Sequence, residues 1–383
     1  MQHRTRDEHL FGPGPKRILA LDGGGIRGAL TLGYLARIED ILRQRAGGDP
    51  DFRLCDYFDL IGGTSTGSII AAGLALGFSV EKLQTLYQSL GNEVFKKPLL
   101  RLGVFSSKFP DEPLMKALSE YFGDNTLGSD QLRTGLMVMT KRLDTGSPWM
   151  LHNNPRGKYF APKGGSSIPN QDYLLREVVR ASTAAPHYFE PEEINIAADM
   201  KGAFVDGGVS PYNNPSLQLV LLATLDGYGL QWPMGEDKLL VVSVGTGYCD
   251  VRFKPEEVLK MPAIQLALQS VMSIMGDSDW LSQTMLQWLS RSPTPWKIDS
   301  EVGDMQADVL GEGPAWLTYL RYTLAFESAW LKQQLNLDLS PEEATSLYAM
   351  DNPNNVQKLS ELGLAAAKVQ VKPEHFPPAF NLA

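Results

Sequence analysis

The chain has 383 residues, 43% hydrophobic and 21% charged, the balance of a globular protein large enough to bury a core without disulfides or structural metal. Its formal net charge of −9 excludes nonspecific nucleic-acid binding, which needs a basic footprint, and disfavours purely electrostatic docking on anionic lipid. Two cysteines, Cys55 and Cys249, are too few for a disulfide framework, and no Cys/His cluster has zinc spacing, which fits a reducing cytosol.

Residues 1–15 are polar and charged, lack the apolar segment of a secretory signal, and read as a flexible tail. Arg17 to Leu21 reads as a short buried strand and Asp22 to Gly28 (DGGGIRG) as a tight glycine loop. Ala29 to Arg45 carries apolar residues at helical spacing, with Gly47-Gly48-Asp49-Pro50 as its stop. Phe58 to Ile61 is a second strand, Gly62 to Gly67 a sharp turn, and Ser68 to Leu76 an apolar helix. Two strand–helix units in under 80 residues predict a parallel sheet with crossover helices.

The apolar stretch from Gly67 to Phe78 is too short to span a bilayer, so membrane contact is expected to be peripheral. Further strands are predicted at Leu136 to Thr140, Ala203 to Val205 and Lys238 to Val244, with a helix over Tyr173 to Ala181. Two basic loops, one with Lys96, Lys97, Arg101 and Lys108 and the other with Arg156, Lys158 and Lys163, read as solvated surface. After about residue 250 strand signals fade, and residues 251–383 read as a mainly helical cap on an α/β domain of residues 16–250. Within it, Met261 to Leu289 holds four methionines and two tryptophans. A packed helical core is preferred there over a lid or a membrane-facing surface.

Three segments carry chemistry. Gly63-Thr64-Ser65-Thr66-Gly67 fits Gly-x-Ser-x-Gly between a strand and a helix, the setting in which a strained turn lifts a serine above the sheet. The following helix would point its N-terminus at developing negative charge. Gly23, Gly25 and Gly28 also fit the dinucleotide pattern Gly-x-Gly-x-x-Gly, but the second strand ends in Ile61-Gly62-Gly63 instead of the acid that would hold a ribose. The glycines could instead present backbone N–H groups to an oxyanion. Asp206-Gly207-Gly208 follows a buried strand and sets a carboxylate at a strand end. None of the five histidines has distinctive surroundings: His3 and His9 read as surface residues of the tail, His152 and His187 as loop residues, and His375 lies in a Pro-rich segment.

Taken in order, DGGGIRG at 22–28, GTSTG at 63–67 and DGG at 206–208 resemble the patatin-like phospholipase family. RASTAAPHYFEP at 180–191 and Asn-Asn-Pro at 213–215 are similar too. The resemblance covers about residues 15–250. It implies a three-layer α/β fold with a central, mostly parallel sheet flanked by helices. It implies a Ser–Asp dyad without histidine, with Ser65 as nucleophile and Asp206 as general base. Amides of Gly23, Gly24, Gly25 and Ile26 would form the oxyanion hole. Asp22, Arg27, Gly28, Gly63, Gly67, Gly207 and Gly208 would shape the motifs, with Arg27 steadying the loop or meeting a phosphate head group. The implied reaction releases fatty acid from phospholipid or a related acyl lipid, without metal or cofactor. Some bacterial members are antiphage effectors switched on by a cyclic nucleotide, so a nucleotide activator is a possible partner, although no residue pattern here marks a nucleotide site. Two other readings stay open: an esterase with a Ser65–Asp–His375 triad, and a dinucleotide-binding protein using Gly23, Gly25 and Gly28.

Overall fold

The computed structural model describes residues 3–94, 109–162, 164, 167–249, 253–308 and 314–382. Lys96, Lys97, Arg101, Lys108 and Lys163 lie outside the described residues.

The strands are β1 (Lys16–Leu21), β2 (Leu60–Thr64), β3 (Gly135–Arg142), β4 (Ser147–His152), β5 (Glu192–Ala197), β6 (Met200–Asp206), β7 (Leu239–Val244), β8 (Ser290–Arg291) and β9 (Leu317–Tyr322). They form one sheet in the order β5-β6-β3-β2-β1-β7-β9-β8, with β4 also paired to β3. The run from β3 through β2, β1, β7 and β9 to β8 is parallel, whereas β4, β5 and β6 pair antiparallel. Every residue of β1, β2, β7 and β9 is buried, as in a sheet covered on both faces.

The helices are α1 (Arg6–Phe11), α2 (Gly28–Arg45), α3 (Leu54–Tyr57), α4 (Thr66–Ala75), α5 (Val80–Glu93), α6 (Glu112–Phe122), α7 (Leu175–Ser182), α8 (Ser216–Thr224), α9 (Pro255–Val258), α10 (Ala263–Leu289), α11 (Ser328–Leu335), α12 (Pro341–Leu347) and α13 (Val356–Gln370). Alternation along the strands divides the core. Leu19, Leu21, Ile61, Val242 and Leu320 face α2, α4, α5 and α13. Ile18, Ala20, Met137, Val241 and Tyr319 face α8, with Leu10 of α1 and Leu286 of α10. The result is the expected three layers, helix on sheet on helix.

Three expectations are corrected. The segment expected as a flexible tail contains α1, closed by a capping box between Thr5 and Glu8. His9 is fully buried, 2.9 Å from Asp59, and the Trp232 ring N–H donates to the Leu10 carbonyl at 2.8 Å. Polar composition misleads there because the charges are paired inside the molecule: Arg4 with Asp59 and His3 with Asp56. His152 is not in a loop but ends β4, buried, and burial pushes its pKa down to about 4.

The C-terminal region is also more than a cap. β9 lies in the parallel sheet beside β7, and α13 packs against α2 so closely that a Cβ on Gly363 would collide with the Leu30 carbonyl. The residues after 250 therefore complete the α/β layers themselves.

Candidate active site

The carboxyl ends of β1 and β2 open toward one edge of the sheet, where α/β folds place their sites. Ser65 joins β2 to α4 at φ 53°, ψ −123°, a strained conformation for a residue with a side chain. Gly63 and Gly67 make the turn possible: a Cβ on Gly63 would collide with the Gly67 carbonyl, and one on Gly67 with the Leu21 carbonyl. The Ser65 amide donates to Ser182 Oγ at 2.8 Å, and that hydroxyl donates to the Met139 carbonyl at 2.6 Å. Ser182 thus ties the turn to α7 and β3. It lies in the RASTAAP stretch, but no spacing rule singled it out.

Asp206 ends β6. The Ser65 hydroxyl lies near enough to its carboxylate to lower its pKa, and the Gly208 amide donates to Oδ1 at 2.7 Å. The side chain is buried. Desolvation raises its pKa to about 6, against the lowering effect of Ser65 and Gly208. Gly207 packs against the Met139 carbonyl, leaving no room for a Cβ.

The glycine loop lies beside Ser65, with Gly23 packed toward the serine Cβ. Its four expected oxyanion donors are not equivalent. The Gly23 amide donates to the Asn213 carbonyl at 3.1 Å, and the Ile26 amide to the Met350 carbonyl at 3.0 Å. Among the described hydrogen bonds, those of Gly24 and Gly25 carry no acceptor. Gly28 opens α2 against Thr66 and Tyr87. Arg27 is buried; its guanidinium donates to the Gly24 and Gly247 carbonyls and sits 4.1 Å above the Tyr348 ring. It braces the loop.

Two further residues of the site region come from the C-terminal third. Arg321 of β9 holds Asp22 through two bonds, 3.0 and 2.6 Å, and donates to Ser243 Oγ at 2.7 Å. Burial opposes the guanidinium charge, but Asp22 together with Tyr319 and Asp279 outweighs it and keeps Arg321 cationic. Asp279 of α10 accepts from Asn213 Nδ2 at 2.9 Å and from the Asn214 amide at 3.0 Å. Desolvation and the nearby negative charge of Asp22 raise the Asp279 pKa to about 7. Sequence reasoning missed both residues, because neither lies near a motif in the chain. A lone arginine in an apolar strand (LTYLRY) was the available signal.

His375 is not part of this cluster: its ring contacts the Tyr322 hydroxyl at 3.1 Å. The carboxylate near the Ser65 hydroxyl is Asp206 instead. The glycine loop, for its part, is held by Asn213, Met350 and Thr246, and it faces the serine turn.

A strained serine on a strand-to-helix turn, close to a buried carboxylate and to backbone amides that carry no acceptor among the described hydrogen bonds, has the form of a serine-nucleophile site on an α/β sheet. The model of the patatin-like phospholipase family matches residues 19–220, and the chain belongs to that family. It is 33% identical over 210 residues to a cGAMP-activated phospholipase of Vibrio cholerae serotype O1, covering 52% of this chain and 55% of that one. It is 31% identical over 248 residues to a cGAMP-activated phospholipase of Escherichia coli, covering 64% and 65%. A cUMP-AMP-activated phospholipase of Escherichia coli is 34% identical over 209 residues, covering 55% and 59%. The chain thus spans between about half and two thirds of the length of these relatives.

Proposed function

We propose that this protein is a lipid acyl hydrolase of the phospholipase A type, with Ser65 as nucleophile and Asp206 as the only general base. The observation that carries this reading is the strained Ser65 turn set beside a buried Asp206 whose pKa is near 6. A carboxylate of that basicity can take the serine proton as the oxygen attacks an ester carbonyl. The tetrahedral oxyanion is received by the amides of Gly24 and Gly25, since those of Gly23 and Ile26 are already engaged. The N-terminus of α4 adds a favourable field. Protonated Asp206 then gives its proton to the departing lysolipid oxygen. It next deprotonates the water that cleaves the acyl-enzyme, releasing fatty acid and restoring Ser65.

The substrate is a phospholipid or related acyl lipid met at a membrane surface, and the described helices include none long and apolar enough to cross a membrane. The names of the bacterial relatives favour one addition: a cyclic dinucleotide as activator.

The test is fatty acid release from mixed phospholipids, with and without cyclic dinucleotides, by wild type, Ser65→Ala and Asp206→Ala. Both variants should lose at least about a thousandfold in rate, and a fluorophosphonate should label wild type but not Ser65→Ala. Release by either variant at the wild-type rate overturns the dyad. Equal rates with and without every cyclic dinucleotide overturn the activator.

A further inference from the structure

The two halves of α10 have opposite surroundings. From Asp279 onward the helix is anchored: Leu286 enters the core, and Gln287 bonds the carbonyls of Trp296 at 2.7 Å and Asp304 at 2.6 Å. Before Gly276 it projects from the body. Ile264 is 76% exposed, and Leu266, Met272 and Ile274 are exposed as well. Just ahead of the helix Leu259 is 85% exposed, beside exposed Val258. The 16 residues from Met261 to Gly276 contain no charged side chain.

Spacing tells what could cover this surface. Leu266, Ile274 and Ile264 follow one another at steps of about 80° around the helix, whereas Met272 lines the cavity on its inner side. A protein groove covers one face of a helix and leaves the opposite face polar, in water. An apolar arc this wide on an uncharged stretch instead suits a helix lying in a lipid interface. Residues 263–276 extend only about 21 Å, too short to cross a bilayer but long enough to lie within one interface.

The helix also leads to the active site. Its inner side lines a cavity of about 480 Å³ shared with Gly23, Asn213 and Arg321. Met275 approaches Gly208, two residues from Asp206, and Asp279 holds the Asn213 whose carbonyl receives the Gly23 amide.

We infer that the projecting half of α10, with the preceding Val258–Leu259 tip, is the element that inserts into the lipid surface and brings the Ser65 site to its substrate. This rests on the reading of the protein as a lipid acyl hydrolase. The occupant is a zwitterionic lipid interface: the helical stretch 261–276 is uncharged, Lys260 is the one charge between it and the tip, and a chain of net charge −9 gains nothing from an anionic one.

The experiment is co-sedimentation of the full chain with phosphatidylcholine vesicles, comparing wild type with Leu259→Asp/Ile264→Asp. Both positions are exposed and lie outside the catalytic machinery, so the melting temperature should not move. Wild type should sediment, with little dependence on salt. The double variant should bind about tenfold more weakly per substituted side chain and hydrolyse vesicle lipid correspondingly less, while its turnover of a water-soluble short-chain ester stays at the wild-type rate.

Failure of wild type to bind, or equal binding by the double variant, overturns the proposal. So does preferential, salt-sensitive binding to phosphatidylserine vesicles. A wild-type dimer in solution that the double variant dissolves, with vesicle binding unchanged, assigns the patch to a second copy and overturns it too. If vesicles are bound but neither lipid nor soluble ester is cleaved and Ser65 is not labelled by a fluorophosphonate, the hydrolase reading fails while docking stands.

Discussion

As the proposed general base, Asp206 combines two demands that oppose each other. A base must be ionised, yet burial disfavours the ion, and the balance here lies near pH 6. Because the free carboxyl would ionise near 3.8, the folded protein holds a proton there that the unfolded chain has lost. The sign follows from linkage. This group favours the fold below about pH 4, and its contribution is lost as pH rises through 6, so it costs about 3 kcal/mol at pH 8. Asp206→Asn keeps an acceptor for the Gly208 amide and removes the buried charge. It should melt higher than wild type at pH 8, and the gain should shrink toward zero by pH 4. Thermal denaturation across that range checks this; a gain that does not vary with pH would contradict it. In the wild type, kcat/KM for a soluble ester should fall about tenfold per unit of pH below 6, as the base protonates.

At the scale of elements, the glycine loop is held from three directions: Asn213 after β6, Arg27 reaching the end of β7, and Arg321 of β9. The last is the most consequential, because Asp22 and Arg321 are both buried and each is the other's counter-charge. Arg321→Gln leaves Asp22 buried without compensation and should destabilise the fold by about 3–5 kcal/mol. Adding Asp22→Asn should restore much of that stability, which chemical denaturation of the single and double variants measures. If the pair also positions the loop, the stable double variant still turns over a soluble ester more slowly, at unchanged KM.

This layer of support was the part least visible in the chain. The motifs at 22–28, 63–67 and 206–208 were legible because a tight turn or close backbone approach demands glycine at fixed offsets. β1, β2 and β7 were legible as apolar runs between breakers. Arg321, Asp279 and Ser182 were not, since each acts through one long-range contact that leaves no local pattern. β9 was overlooked for a related reason: a six-residue strand among helices gives little period, and its place beside β7 is set by pairing. The capped helix at Arg6–Phe11 was hidden because its ion pairs reach Asp56 and Asp59, some fifty residues on.

On the scale of the whole molecule, the same pairing makes the C-terminal third indispensable to the layers. The family match ends at residue 220, and sequence texture suggests a boundary near 250. A fragment of residues 1–250 would nevertheless lose β9, turning β7 from an internal strand into a bare edge. It would lose α13, uncovering the face of α2 that packs on it. It would leave Asp22 buried with no counter-charge and Asn213 without Asp279. Each loss alone is a few kcal/mol, comparable to the net stability of a domain, and together they exceed it. The fragment should therefore be insoluble, or an expanded state that binds a hydrophobic dye and lacks near-ultraviolet circular dichroism. Adding residues 251–383 as a separate chain should restore folding, because the lost contacts are noncovalent. A fragment 1–250 that melts cooperatively on its own would show instead that the α/β domain closes without β9.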